Sequence, residues 1–160
     1  MKSVAAVTAI GIVLAGPALA GEMISGTNTY VTNQRTWETG ESSGYYIYDS
    51  TGTIETHAGP MPNGPVECHG AGFWTPEEIM GEGICIFGEA PHRWTVAFTM
   101  DLGNQFNTQR AEKYRRRGTW TVVRGTGKYV GMTGTGSFAT GPVVDGQKTT
   151  QWEGEVELPK

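Results

Sequence analysis

The sequence predicts an all-β fold, an antiparallel barrel of about eight strands, following an N-terminal export signal. Three observations carry this. Turn residues punctuate the chain roughly every 8–12 positions, with 24 glycines in 160 residues. Thr, Val, Tyr and Trp dominate the stretches between them, and no window keeps a helical period. Two segments alternate with period two over their whole length.

From the N-terminus, Met1 to Ala20 divides into Lys2, an apolar run from Val4 to Leu14, and the small-residue ending Ala18-Leu19-Ala20. That is the layout of a cleavable signal peptide, too short and wrongly flanked for a spanning helix. Residues 21–160 are then expected to form a single domain with one core.

Strands are expected over Met23 to Thr32 and Gly44 to Tyr48, with Asp49-Ser-Thr-Gly52 as a turn. Gly59 to Pro65 carries three prolines, which cannot donate to a ladder, so it reads as an irregular loop. Further strands follow over Val66 to Phe73, Ile84 to Phe87 and Gln105 to Tyr114. Thr119 to Arg124 and Gly136 to Thr140 complete these. Thr75-Pro-Glu-Glu-Ile-Met80 has the cap, proline and acids of one helical turn. The clearest strand is Arg93 to Asp101, where Trp94, Val96, Phe98 and Met100 alternate with mostly polar neighbours. Thr149 to Leu158 repeats the pattern after the Asp145-Gly146 turn. About eight strands in hairpin order, without crossover helices, suffice to close a barrel and remove its edges. A barrel of that size is filled by its own side chains or holds one small ligand.

The formal net charge of -4 becomes -5 once Lys2 leaves with the signal, which argues against a nucleic-acid partner. Lys113-Tyr-Arg-Arg-Arg117 is a local basic cluster and reads as a solvated hairpin end; attraction for phosphates or anionic headgroups is its rival reading. No membrane span is expected in the mature chain, whose destination is the periplasm or the exterior. In an exported chain the two cysteines, Cys68 and Cys85, read as a disulfide. His69 beside Cys68 does not make a metal site, because neither a second pair nor C-x-x-C spacing appears.

Gly125-Thr-Gly-Lys-Tyr-Val-Gly-Met-Thr-Gly-Thr-Gly-Ser-Phe138, preceded by Gly118-Thr-Trp-Thr-Val122, resembles the glycine signature of the allene oxide cyclase barrel-like family. That superfamily includes the dirigent proteins and many exported bacterial members. Glu67-Cys-His-Gly-Ala-Gly-Phe73 and Gly81-Glu-Gly-Ile-Cys85 resemble the cysteine elements of the bacterial forms. The resemblance implies a calycin-like eight-stranded barrel. It transfers no catalytic residue, because the acids and bases of the cyclases and dirigent proteins lie outside the matched segment. Physically, the glycines suit tight corners and close strand approach and so mark fold. A phosphate loop is excluded, since Tyr129 follows Lys128 where Ser or Thr and a helix are needed. No cofactor is expected.

Chemistry has to be argued locally. If Ile84 and Ile86 face inward, Cys85 and Cys68 face outward, and alternation turns Glu67, His69 and Phe73 toward the cavity. Glu67 and His69 are then candidate acid-base residues sharing a proton. Phe87 allows the opposite facing, with the Cys85 side inside. His57 and His92 adjoin Gly/Pro loops and read as exposed rim residues. Tyr46, Trp94, Phe98 and Trp120 are the candidate ligand-binding residues, an aromatic wall for a small, largely apolar molecule. The first functional reading is therefore an exported binding protein. The second is a cofactor-free isomerase, cyclase or lyase acting by confinement with Glu67 and His69. The third is a filled barrel acting through its surface, with homo-oligomerisation left open.

Overall fold

The computed structural model describes residues 21–101 and 116–159. The segment read as a signal peptide, and the strand expected over Gln105 to Tyr114, lie outside those residues. Eight strands follow in chain order: β1 Glu22–Gly40, β2 Ser43–Ala58, β3 Gly64–Trp74, β4 Ile79–Glu89, β5 His92–Asp101, β6 Arg116–Gly125, β7 Thr133–Val144 and β8 Gln147–Glu157. Each pairs antiparallel with the next, and β8 returns to β1, so the sheet closes as the period-two alternation predicts. Closure satisfies the ladder of every stave on both sides over the barrel body. Among the described residues no helix is long and apolar enough to cross a membrane.

The strands run longer than local sequence suggests. Asp49-Ser-Thr-Gly52, expected as a turn, lies inside β2, paired to Asn33–Tyr30 on one side and His69–Val66 on the other. Two flanking ladders outweigh its turn propensity. Thr75 to Met80 forms no helical turn. The Thr75 hydroxyl accepts from the amides of Glu77 and Glu78, as a cap would, but the chain then reverses into β4 at Ile79. Asp145-Gly146 does form a two-residue hairpin, with φ of 51° and 76°, the left-handed pair that a tight β-turn requires. Beyond Tyr30, β1 continues without β8 and pairs with β2 alone, forming a two-stranded arm.

Register sorts the side chains. Ile24, Ile54, Val66, Phe87, Trp94, Val96, Phe98, Trp120, Trp152 and Val156 are buried in one core. Phe87 stacks on Trp94 with centroids 4.0 Å apart, and Phe98 meets Phe138 edge-on at 5.8 Å. Such pairs each add about 0.5–1.5 kcal/mol beyond burial. Many of the glycines sit on this inner face, beneath rings. A Cβ at Gly70 would lie 2.6 Å from the Tyr48 ring, and one at Gly83 would lie 2.7 Å from the Phe98 ring. Gly136 and Gly154 lie under Trp120 in the same way. The glycines thus make room for aromatic side chains in a narrow bore, besides turning corners.

The glycine-rich segment around Lys128 closes one end. Gly127–Tyr129 forms a single 3-10 turn, with Gly127 at φ 56°. Thr126 fixes it to the β4–β5 turn: its hydroxyl donates to the Pro91 carbonyl at 2.8 Å and accepts from the Arg93 amide at 3.0 Å. Tyr129 and Met132 are thereby buried at this end of the barrel, where Met61, Ile24 and Val156 also lie in the core.

Candidate functional site

The barrel holds a partly open cavity of about 60 Å³. It has two unlike walls. Strands β3 to β6 supply Cys68, Cys85, Phe87, Trp94, Val96, Phe98, Met100 and Trp120. Strands β1, β2, β7 and β8 supply Asn28, Tyr30, Tyr48, Thr140, Lys148 and Thr150, together with Phe138 and Trp152. The volume is well below the ~300–1,000 Å³ of pockets for drug-sized ligands, so a guest has to be small.

Three of the expected aromatic residues, Trp94, Phe98 and Trp120, line this cavity. Alternation along β5 aims Trp94 and Phe98 inward, and the register Phe98↔Trp120 brings β6 to the same face. Tyr46 is buried on the inner face but stands outside the lining. Its ring lies over Gly72 and Gly81, and its hydroxyl donates to the Met80 carbonyl at 3.1 Å.

The facing of Glu67 and His69 is the reverse of the one expected from Ile84 and Ile86. Cys68 and Cys85 face inward, directly opposite one another in register with Cα atoms 4.1 Å apart, and are joined as a disulfide. Ile84 is exposed on the outer wall. Phe87 and the glycines Gly81 and Gly83 occupy the inner face of β4, and parity along the strand does the rest. Glu67 and His69 therefore stand on the outer wall with side chains 54% and 40% exposed, and Phe73 is exposed there too. They do meet: His69 Nε2 is 2.9 Å from Glu67 Oε1, and its Nδ1 is 2.7 Å from Asp49 Oδ1. Proton transfer inside the cavity is out of their reach.

That outer cluster has a measurable consequence. A neutral imidazole donates from one nitrogen only, whereas the imidazolium donates to both carboxylates. The Asp49 hydrogen bond, assisted by the charge of Glu67, accordingly holds His69 above its ordinary value of 6.5. The stabilisation is complete below that value and is lost as pH rises through the raised one. His69→Gln should therefore flatten the decline in urea midpoint as pH rises above about 6.5, with a small effect because the group is exposed to solvent. An unchanged pH profile in the variant would contradict this. The other histidines are exposed: His57 lies 3.4 Å from the Thr27 hydroxyl, and His92 Nδ1 accepts from the Lys128 amide at 3.1 Å.

The polar wall was not singled out in the sequence. Lys148 and Thr150 share the parity of Trp152 along β8, and Asn28 and Tyr30 share that of Ile24 along β1, which is the signal that locates them. Across the ladder Lys148 faces Tyr30, Thr150 faces Asn28, and Thr140 faces Thr150. Trp152 Nε1 donates to Asn28 Oδ1 at 3.0 Å, satisfying two buried polar groups. Thr140 and Thr150 hydroxyls lie 2.7 Å apart, and Tyr30 closes the chain with a short bond to Thr150. Burial pushes the phenols of Tyr30 and Tyr48 up, so both stay neutral. Burial and the neighbouring Arg116 charge push the Lys148 amine down to about 8. Most of the basic 113–117 cluster lies outside the described residues. Arg116 itself is paired with the inward-facing Thr140, so it turns toward the bore instead of capping a solvated hairpin. Among the described residues no group of histidine, cysteine and carboxylate side chains is arranged to hold a metal ion.

No family model and no curated protein matches this chain. Among solved structures, a protein of unknown function from the DUF3224 family of Shewanella oneidensis is similar over 87% of this chain and 100% of its own, at 13% identity and a TM-score of 0.45.

Proposed function

We propose that this barrel is an exported protein that binds a small, largely apolar molecule in its cavity. The observation that supports this most directly is the two-walled cavity: aromatic and aliphatic side chains on one side, hydrogen-bonding groups on the other. Pockets with that division use the apolar wall for affinity and the polar groups for orientation. The inward-facing disulfide fits an oxidising compartment, in keeping with export. Binding stands ahead of cofactor-free catalysis because Glu67 and His69, the pair on which the catalytic reading depended, face solvent. Kinship with the allene oxide cyclase barrel-like family is part of the same proposal. Its glycine segment, Gly125 to Phe138, supplies the β6–β7 connection and the first half of β7, a structural role.

Native mass spectrometry of protein purified from its own host tests the reading. A retained small molecule, released by denaturation, is the expected result. In parallel, small aromatic compounds should change the emission of Trp94 and Trp120 saturably. Emission unaffected by a panel of such compounds, with no retained molecule, would sink it.

A further inference from the structure

Resting on that reading, we infer that the molecule held in the cavity is a small planar aromatic anion, a carboxylate of about the size of benzoate. Its ring lies against Trp94, Phe98 and Trp120, and its charged group is held by Lys148 and Arg116 at the mouth.

The chain as a whole is acidic, with formal net charge -4, yet among the described residues no carboxylate lines the cavity, while Lys148 does. Arg116 faces Thr140, which is buried and lines the same cavity, so the guanidinium is brought to the same inner face. Among the described residues both ion pairs belong to His69 on the outer wall, and neither Lys148 nor Arg116 takes part in one. Two cations brought together in a partly desolvated bore repel each other, which is unfavourable unless an anion joins them. The chemistry around them suits an anionic guest. Tyr30, Thr140 and Thr150 place hydroxyls beside the charge, and a carboxylate accepts from hydroxyls, ammonium and guanidinium alike. Size sets the rest of the class. A small cavity with an aromatic wall favours a flat ring over a long chain.

Titration supports this placement. Lys148 is faced by Tyr30 from β1 and approached by Tyr48 from β2, Arg116 from β6 and Thr140 from β7. The phenols are held neutral by burial, so Lys148 is the group among them that changes charge near pH 8.

The experiment compares benzoate, benzamide and benzylamine by isothermal calorimetry on the full-length folded protein. Benzoate should bind about 10- to 100-fold more tightly than benzamide, the range of one charge-assisted hydrogen bond, and benzylamine more weakly still. Benzoate affinity should fall as pH rises above about 8 in the wild type and not in Lys148→Arg. Lys148→Met and Arg116→Met, each confirmed folded by circular dichroism, should each weaken benzoate by about tenfold or more and weaken benzamide much less. Equal binding of benzoate and benzamide would overturn the anion assignment while leaving cavity binding intact. Undiminished benzoate binding in both folded methionine variants would also overturn it. Failure of all three compounds, together with no retained molecule in native mass spectrometry, would remove the underlying reading as well.

Discussion

Trp120→Ala is expected to cost the barrel about 3–5 kcal/mol, read as a lower urea midpoint at unchanged slope. The indole is buried, lies over Gly136 and Gly154, and donates from Nε1 to the Ser137 carbonyl at 3.2 Å. Gly136, its partner on β7, and Gly154 beyond it on β8 have no side chains to move into the space, so much of the void left by alanine persists and a cavity penalty adds to the lost burial. Trp120 also lines the ligand cavity, so the variant should gain affinity for a two-ring carboxylate such as 2-naphthoate relative to benzoate. A loss below about 1 kcal/mol would mean that the strands collapse onto the vacancy, and the description of glycines as seats for rings would be wrong.

The second large effect is expected from the disulfide. Cys68→Ala/Cys85→Ala should lose about 3 kcal/mol, because the bridge closes a loop of sequence separation 17 and removes that freedom from the unfolded chain. For a domain of this size such a loss is a substantial fraction of net stability. Alanine is the better replacement, since both sulfur atoms face an apolar wall where a serine hydroxyl would lack a partner. Intact-mass measurement of unreduced wild-type protein provides the check, since a bridged chain is two hydrogens lighter than the dithiol. Two free thiols in protein from an oxidising compartment would refute the pairing.

Which parts of this molecule were legible in the sequence follows from how the barrel is packed. Alternation along β5 and β8 was unambiguous because their outward residues are polar, so Trp94, Phe98 and Trp152 could be turned inward on sight. Along β4 the same test failed. Ile84 and Ile86 on one parity and Cys85 and Phe87 on the other are all apolar, and hydrophobicity alone cannot choose a face. The deciding clue was Gly81 and Gly83, since in a bore this narrow the inner face is where side chains are left out. Strand lengths were underestimated for a related reason: Asp49 to Gly52 has local turn chemistry, but Gly52 is an inner seat beside Tyr30. The polar wall was hidden because Lys148, Thr150 and Asn28 look like surface residues until their parity with Trp152 and Ile24 is followed through.

The pairing of inward glycines with single large rings makes the bore of this barrel adjustable in small steps. Exchanging one ring for a smaller side chain, or one glycine for alanine, alters the shape of the interior while strand number and stagger stay the same. Diversification of what such a scaffold accommodates therefore requires no insertion and no rearranged topology, only substitutions at positions such as Gly70, Gly83 or Gly136 and the rings that rest on them.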